Sequence, residues 1–166
     1  MKRDSERGKV ALEHGAAKLF LRCYEKEFGV EMRNIWHNTP SKPDISCYQG
    51  DALLDIEIAH LYASETEAMA VLGRPLSISM QCALAKMAQD PSDQKLLAPL
   101  QRLLKQKATK RYNSTRTWLL IRNASPLWLK ADFEQQLTNI EVPKKHPFEQ
   151  IWLLCDFYKG DMLRLV

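Results

Sequence analysis

Residues 53–59 read Leu-Leu-Asp-Ile-Glu-Ile-Ala, and no other segment says as much about the architecture. Successive side chains of a β-strand point to opposite faces, so the aliphatic side chains at alternate positions share one face. Asp55, Glu57 and Ala59 share the other face. Because the segment is otherwise apolar, it predicts a central strand that carries two carboxylates on one side of a sheet.

The residues before this strand predict a helix followed by two further strands. Residues 5–28 place apolar side chains three and four positions apart, as an amphipathic helix does. Residues 30–37 alternate and run into the polar stretch NTPSKP, which predicts a strand that ends in a turn or loop. Residues 44–48 and 52–61 flank Gln49-Gly50-Asp51, a pattern that favours a β-hairpin with a glycine turn.

The residues after this strand alternate between helices and strands. Helices are predicted at residues 64–72, 76–88, 92–112 and 130–137. Short apolar runs at 118–122 and 150–157 predict two parallel strands that are covered on both faces. The last ten residues predict a hairpin about Lys159-Gly160. We therefore expect an α/β fold with a mixed central sheet flanked by helices.

The composition is that of one globular domain. The chain has 166 residues, of which 45% are hydrophobic and 27% are charged, so we expect a single domain over residues 1–166. The apolar runs are far shorter than the roughly 18 residues of a membrane helix, and no apolar signal region opens the chain. The cysteines and histidines lack the spacing of metal ligands. We expect a soluble, cytoplasmic protein with no membrane partner.

Positive charge is concentrated in one part of the chain. The formal net charge is only +4, yet residues 94–131 contain nine basic residues and no acidic one. Such segregation is unfavourable through self-repulsion unless a polyanion is the partner, and nucleic acid is the commonest polyanion. A solvated helix face is the alternative interpretation. The residues that we expect to hold a nucleic-acid backbone are Arg102, Lys105, Lys110, Arg111 and Arg116.

Three acidic residues conflict with the apolar pattern around them. Glu13 falls on the apolar stripe of the first helix, between Val10 and Ala17. Asp44 begins the strand that we place beside Glu57. Carboxylates brought together raise each other's pKa unless a cation intervenes, and Mg²⁺ (or Mn²⁺) accepts oxygen ligands. These acids therefore predict a shared site, whereas the alternative for any single acid is a strand residue that faces water.

Lys107 is a similar exception to the apolar pattern of the long helix predicted at residues 92–112. It continues the line of leucines around Leu100 when each residue is turned by 100°. One interpretation is that the lysine extends along the apolar surface to reach solvent. The other is that its ammonium group reaches the acidic cluster.

This order of elements and acids resembles the PD-(D/E)XK nuclease superfamily, which has a restriction-endonuclease-like αβββαβ core. The resemblance covers most of the chain. It is carried by the helix with Glu13, by Pro43-Asp44, and by Glu57, which lies in a hydrophobic strand and is separated from Asp44 by twelve residues. It implies that Asp44 and Glu57 bind Mg²⁺ and that Glu13 assists. The lysine that the family places two residues after the Glu is replaced here by Ala59.

That replacement leaves two interpretations of the function. If the lysine has migrated to Lys107, the chain is a metal-dependent nuclease that hydrolyses phosphodiester bonds of DNA, or of RNA, with a homodimer as one arrangement for cutting two strands. If catalysis has been lost, the chain is an inactive nuclease-fold module that binds nucleic acid or a partner protein. A third hypothesis is a small protein that docks on another subunit through apolar and basic patches.

Overall fold

The fold is described from a computed structural model. It covers residues 2–38, 42–63, 75–89, 93–156 and 160–166. The helix predicted at residues 64–72 lies outside these ranges, as do the central residues of the predicted final turn. Among the described residues, no helix is long and apolar enough to cross a membrane.

Helices and strands follow one another in the predicted order. The elements are α1 (Lys2–Phe28), β1 (Met32–His37), β2 (Ile45–Gln49), β3 (Ala52–Leu61), α2 (Ile78–Gln89), a 3₁₀ turn (Asp93–Leu96), α3 (Leu97–Ala108), β4 (Thr117–Asn123), α4 (Lys130–Gln136), a second 3₁₀ turn (Leu137–Asn139), β5 (Gln150–Leu154) and β6 (Met162–Arg164). The first helix, the hairpin that follows it and the two apolar strands are confirmed, with shifts of a few residues at their ends.

The described strands form one six-stranded mixed sheet in the order β1-β2-β3-β4-β5-β6. The pairs β1–β2 and β2–β3 are antiparallel, whereas β3, β4 and β5 run parallel. β6 returns antiparallel to β5, which confirms the final hairpin. The α/β class with a mixed central sheet is therefore confirmed.

Each face of the sheet carries its own hydrophobic core. On one face α1 contributes Ala17, Phe20 and Tyr24, which pack against apolar side chains of β2, β3 and β4. On the other face α3 contributes Leu100 and Leu104, which pack with α4 and with the opposite sides of β4 and β5. A central strand such as β3 is therefore buried on both sides, as its sequence predicts.

The long helix predicted at residues 92–112 is confirmed only in part. It begins as a 3₁₀ turn, and its regular part, α3, ends at Ala108. Asn113, Ser114 and Thr115 follow, and residues of these types compete with the helix for backbone hydrogen bonds. The Ser114 hydroxyl donates to the carbonyl of Arg116 over 3.0 Å. Because α3 ends early, Tyr112 lies outside the helix and its side chain points towards the sheet.

One strand is irregular. The register of β1 against β2 shifts between Arg33 and Trp36, and Asn34 adopts a φ of 58°. Asparagine tolerates this left-handed conformation better than most residues do. After the shift Ile35 packs against the α1 core, so Trp36 points to the opposite face of the sheet.

Candidate active site

A cavity of about 680 Å³ lies where α1, the ends of β1 and α3, the start of β2 and the middle of β3 meet. Its walls are unusually rich in charge. They are formed by Lys9, Val10, Glu13, His37, Asn38, Lys42, Asp44, Glu57, Ile58, Lys107, Lys110, Arg111 and Tyr112. All four residues that we predicted as catalytic, Glu13, Asp44, Glu57 and Lys107, therefore line one cavity.

Asp44 and Glu57 are brought together by the register of the β2–β3 hairpin. Ile45 pairs with Ile56, so the residue before Ile45 lies beside the residue after Ile56. The backbone N–H of Ile58 donates to Asp44 Oδ2 over 2.9 Å and fixes the carboxyl group in the cavity. The two carboxyl groups share a hydrogen bond, in which the protonated Asp44 donates to Glu57.

The two carboxyl groups have different proton affinities. Burial raises the pKa of Asp44 to about 8, and the contact with Glu57 contributes to the same increase. Burial also acts to raise the pKa of Glu57, but the hydrogen bond from Asp44 and the charge of Lys107 reverse this and hold it below its ordinary value. One carboxylic acid and one carboxylate thus share a buried site, a pattern typical of functional sites.

Lys107 supplies the positive charge beside this pair. Its Nζ atom lies 3.4 Å from Glu57 Oε2, and the two side chains are 16% and 7% exposed. Lys107 stands in the last turn of α3, one turn beyond the buried Leu104, so its stem follows the apolar stripe before the ammonium group turns to the acids. The charge of Lys107 lowers the pKa of the neighbouring Lys110. The structure therefore places Lys107 against the acids, as the second interpretation expected.

Glu13 lies at the edge of the same cluster. The residue is 4% exposed, and burial raises the pKa of its carboxyl group. Its nearest cation is Lys9, one helical turn earlier, at 3.9 Å. The apolar stripe that we predicted for α1 is wrong at Val10, which is 46% exposed and lines the open cavity instead of packing in the core.

The five residues predicted to hold a nucleic-acid backbone separate into three groups. Lys110 and Arg111 line the cavity. Arg102 and Lys105 are exposed on α3, away from the cavity walls. Arg116 is held elsewhere, because its guanidinium group makes two hydrogen bonds, of 3.0 and 2.9 Å, with the carboxylate of Glu149.

Asp55 takes no part in the cavity, although it shares a face of β3 with Glu57. It is only 7% exposed, so the alternative of a strand residue that faces water does not apply to it. The Ser46 hydroxyl donates to Asp55, and Ser46 in turn accepts from Asn38 Nδ2 over 2.7 Å. Asp55 is therefore a buried carboxyl group with a structural partner, and it offers a control for Asp44.

Sequence reasoning missed several residues of the cavity. Tyr112 is the most informative, because its buried hydroxyl approaches the Glu57 carboxylate but makes no hydrogen bond of good geometry with any described residue. Burial raises the pKa of Tyr112, and the Glu57 carboxylate raises it further. Lys9 could have been found, since it stands four residues before Glu13 on a helix. Tyr112 could not, because its position depends on the early end of α3.

The donor set fits a hard divalent cation with few protein ligands. Within the residues that the structure describes, no group of three or more His, Cys, Asp or Glu side chains is arranged to hold a metal ion. Asp44 and Glu57 do provide two adjoining carboxyl groups in a charged cavity. Mg²⁺ is commonly bound through one or two carboxylates, with water and substrate phosphate as its other ligands.

Comparisons with protein families, with curated proteins and with solved structures find no match for this chain.

Proposed function

We propose that the protein is a metal-dependent nuclease that hydrolyses phosphodiester bonds of DNA or RNA. The observation that carries this proposal is the meeting of Asp44, Glu57 and Lys107 in one cavity, with Lys107 Nζ 3.4 Å from Glu57. Two adjoining carboxyl groups suit Mg²⁺ or Mn²⁺, and a buried ammonium group suits the charge that develops on a phosphate during hydrolysis. A phosphodiester is a substrate class that uses both groups.

The element order supports a restriction-endonuclease-like core. α1 with Glu13 precedes three antiparallel strands, helices α2 and α3, and the parallel strand β4, which matches the αβββαβ order of that core with one additional helix. Asp44 and Glu57 occupy the start of β2 and the middle of β3. Ala59 stands in the position of the family's lysine, and Lys107 approaches the acids from a different element.

Each residue of the cavity has a distinct role in this proposal. A divalent ion held by Asp44 and Glu57 would supply Lewis-acid polarisation of the phosphate and a more acidic water. Lys107 offsets the negative charge that grows on the phosphate oxygens. Glu13 contributes negative charge at the rim of the acidic pair. Lys110 and Arg111 hold the neighbouring phosphates, which gives affinity without sequence preference.

The test is cleavage by the full chain of single-stranded and double-stranded DNA and RNA, with Mg²⁺, with Mn²⁺ and with EDTA. We expect cleavage with either metal, and loss of cleavage in EDTA and in Asp44→Asn. Asp55→Asn is the matched control, because it removes the charge of a buried carboxyl group that lies outside the cavity. Both variants should be checked for folding by circular dichroism.

Equal products from the wild type and from folded Asp44→Asn would refute the nuclease proposal. Nucleic-acid binding that is the same in Mg²⁺ and in EDTA, without cleavage, would instead support the inactive binding module, for which the replacement of the family's lysine by Ala59 is the observation in favour. The same two measurements therefore distinguish the two functions.

A further inference from the structure

Two aromatic side chains lie exposed on β1 and β2, the antiparallel strands that flank Asp44 in the sequence. Trp36 in β1 is 39% exposed and Tyr48 in β2 is 38% exposed. Their ring centroids are 5.6 Å apart and their planes are inclined by 48°. Large exposed aromatic rings side by side are uncommon on a protein surface without a binding role, because they leave apolar area in water. We refer to Trp36 and Tyr48 as the aromatic pair.

The aromatic pair lies on the same face of the sheet as Glu57. Trp36 pairs with Ser46 across β1 and β2, and Ser46 bonds to Asp55 on that face of β3. Tyr48 is two residues beyond Ser46 and therefore points the same way. The opposite face of these strands is covered by α1, whereas the aromatic pair remains accessible.

The aromatic pair is also continuous with the cavity. Asn38 lines it and donates a hydrogen bond to Ser46, the residue that pairs with Trp36 across β1 and β2. The cavity wall carries five lysine or arginine side chains and three acidic ones. A ligand that spans both regions would thus place anionic groups in the cavity and flat apolar groups on the aromatic pair.

We propose that the aromatic pair is a stacking platform for unpaired bases of a single nucleic-acid strand whose backbone enters the cavity. This inference rests on the proposed function and adds the substrate class, which is single-stranded nucleic acid or a single-stranded end. Stacking on aromatic side chains needs open base faces, and the bases of an intact duplex already stack on one another. A single strand carries phosphates next to bases, and here the basic cavity lies next to the exposed rings of the aromatic pair.

The test is binding of a labelled oligonucleotide of mixed sequence to the full chain in EDTA, where no metal-dependent cleavage occurs. We expect Trp36→Ala to weaken binding of single-stranded DNA or RNA roughly tenfold, and Tyr48→Ala to act in the same direction. Binding of the blunt duplex of the same sequence should change much less. Trp36→Phe should recover most of the affinity, since a flat ring remains. Separate DNA and RNA arms show which sugar is preferred.

Leu53→Ala and Leu129→Ala are the controls. Leu53 is 43% exposed and pairs with Tyr48 across β2 and β3, so it tests general apolar contact beside the aromatic pair. Leu129 is 64% exposed at the start of α4 and tests a remote apolar change. Both should leave binding of the single strand within about twofold of the wild type.

Tryptophan fluorescence gives an independent readout. Trp118, Trp128 and Trp152 are at most 4% exposed, so Trp36 is the tryptophan that a ligand in solution can reach. Single strands should quench the wild-type emission, and this quenching should be absent in Trp36→Phe. Equal quenching in both proteins would overturn the proposal.

The proposal is also overturned if Trp36→Ala binds single strands as the wild type does, if it loses single-strand and duplex affinity equally, or if it only dissociates a dimer seen by analytical ultracentrifugation. These results are separable from failure of the proposed function. Metal-dependent cleavage with unchanged binding by Trp36→Ala would refute the stacking platform alone. Trp36-dependent binding without cleavage would refute the nuclease alone.

Discussion

Two charged clusters lie at different positions along the strands, and they are built very differently. At the first, Arg116 makes two hydrogen bonds with Glu149, and the Trp118 indole N–H donates to the same carboxylate over 3.2 Å. The Glu149 side chain is 45% exposed, so water completes its solvation. Charge and hydrogen-bonding capacity are balanced there, as expected of an ion pair that holds β4 to the segment before β5.

The second cluster, in the cavity, is buried and unbalanced. Asp44 and Glu57 are pressed together, and the Tyr112 hydroxyl beside Glu57 makes no hydrogen bond of good geometry with any described residue. Such an arrangement is unfavourable for stability, because buried polar groups without partners retain their desolvation penalty. The comparison teaches that charge alone does not mark a site. A site is marked instead by an imbalance of charge and hydrogen bonding that a ligand would relieve. The predictions that follow test this difference between the two clusters.

The largest expected difference is in catalysis. Glu57→Gln should lower the Mg²⁺-dependent cleavage rate by about 10²–10³-fold or more, because it removes charge at the proposed metal site. Glu149→Gln removes a carboxylate of the balanced cluster and should leave the rate unchanged. Initial rates under matched metal and salt conditions measure both. A similar loss in the two variants would mean that the clusters do not differ in function.

Stability should separate the clusters next. Lys107→Met leaves Glu57 buried without its cation, and we expect a loss of about 3 kcal/mol in the free energy of unfolding at pH 7. Glu149→Gln breaks a partly exposed pair and should cost less than about 1 kcal/mol. Urea unfolding monitored by circular dichroism measures both values. A larger loss of stability for Glu149→Gln than for Lys107→Met would contradict this expectation.

The pH dependence of stability should have opposite signs at the two clusters. The folded protein keeps the proton of Asp44 up to about pH 8, whereas an unfolded chain loses it near the ordinary pKa of 3.8. Without metal, stability should therefore fall as the pH rises from about 5 to 8, by about 1.4 kcal/mol per pH unit at most. Asp44→Asn should flatten this slope when unfolding is followed across the same range.

At Glu149 the sign is the reverse. Hydrogen bonds from Arg116 lower the pKa of Glu149, so its contribution is present above the ordinary pKa of 4.5 and is lost as the pH falls below it. Glu149→Gln should change the unfolding curve only on this acidic side. A slope between pH 5 and 8 that Glu149→Gln removed and Asp44→Asn left intact would contradict the assignment.

The smallest effect should come from two tyrosine hydroxyl groups. Tyr112→Phe removes a buried hydroxyl that approaches Glu57 without a well-formed hydrogen bond to any described residue, so we expect a change within about 0.5 kcal/mol, or a slight gain. Tyr24→Phe removes a hydroxyl that accepts a hydrogen bond from Gln49, which also bonds to Arg116, and should cost about 1 kcal/mol. Thermal and urea unfolding of both variants tests this. A larger loss for Tyr112→Phe would show that its hydroxyl is already satisfied.

The sequence predicts those features that depend on local periodicity. Alternation in residues 53–59 places Glu57 on the opposite face from its aliphatic neighbours, and helical geometry directs Lys107 along the leucine stripe of α3. The hairpin turn then fixes the register that brings Asp44 to Glu57. Each of these steps needs only the residues of one or two adjacent elements.

Features that depend on where elements end could not be predicted. Tyr112 reaches the cavity because α3 stops at Ala108, and no strong stop signal marks that residue. Arg116 is hydrogen-bonded to Glu149, which lies 33 residues away in a loop whose path the sequence does not show. The exposure of Trp36 follows from a shift of register in β1, and such irregularities leave little trace in periodicity.

The way the cavity is assembled has a consequence for synthesis of the chain in a cell. Glu57 and Lys107 are separated by 50 residues, and the cavity also needs α1 from the beginning of the chain. Contacts between such distant segments form late, because a long loop must close first. A nascent chain still emerging from the ribosome therefore carries the acidic residues without the lysine that balances them, and the complete cavity forms only after Lys107 and Tyr112 have been synthesised.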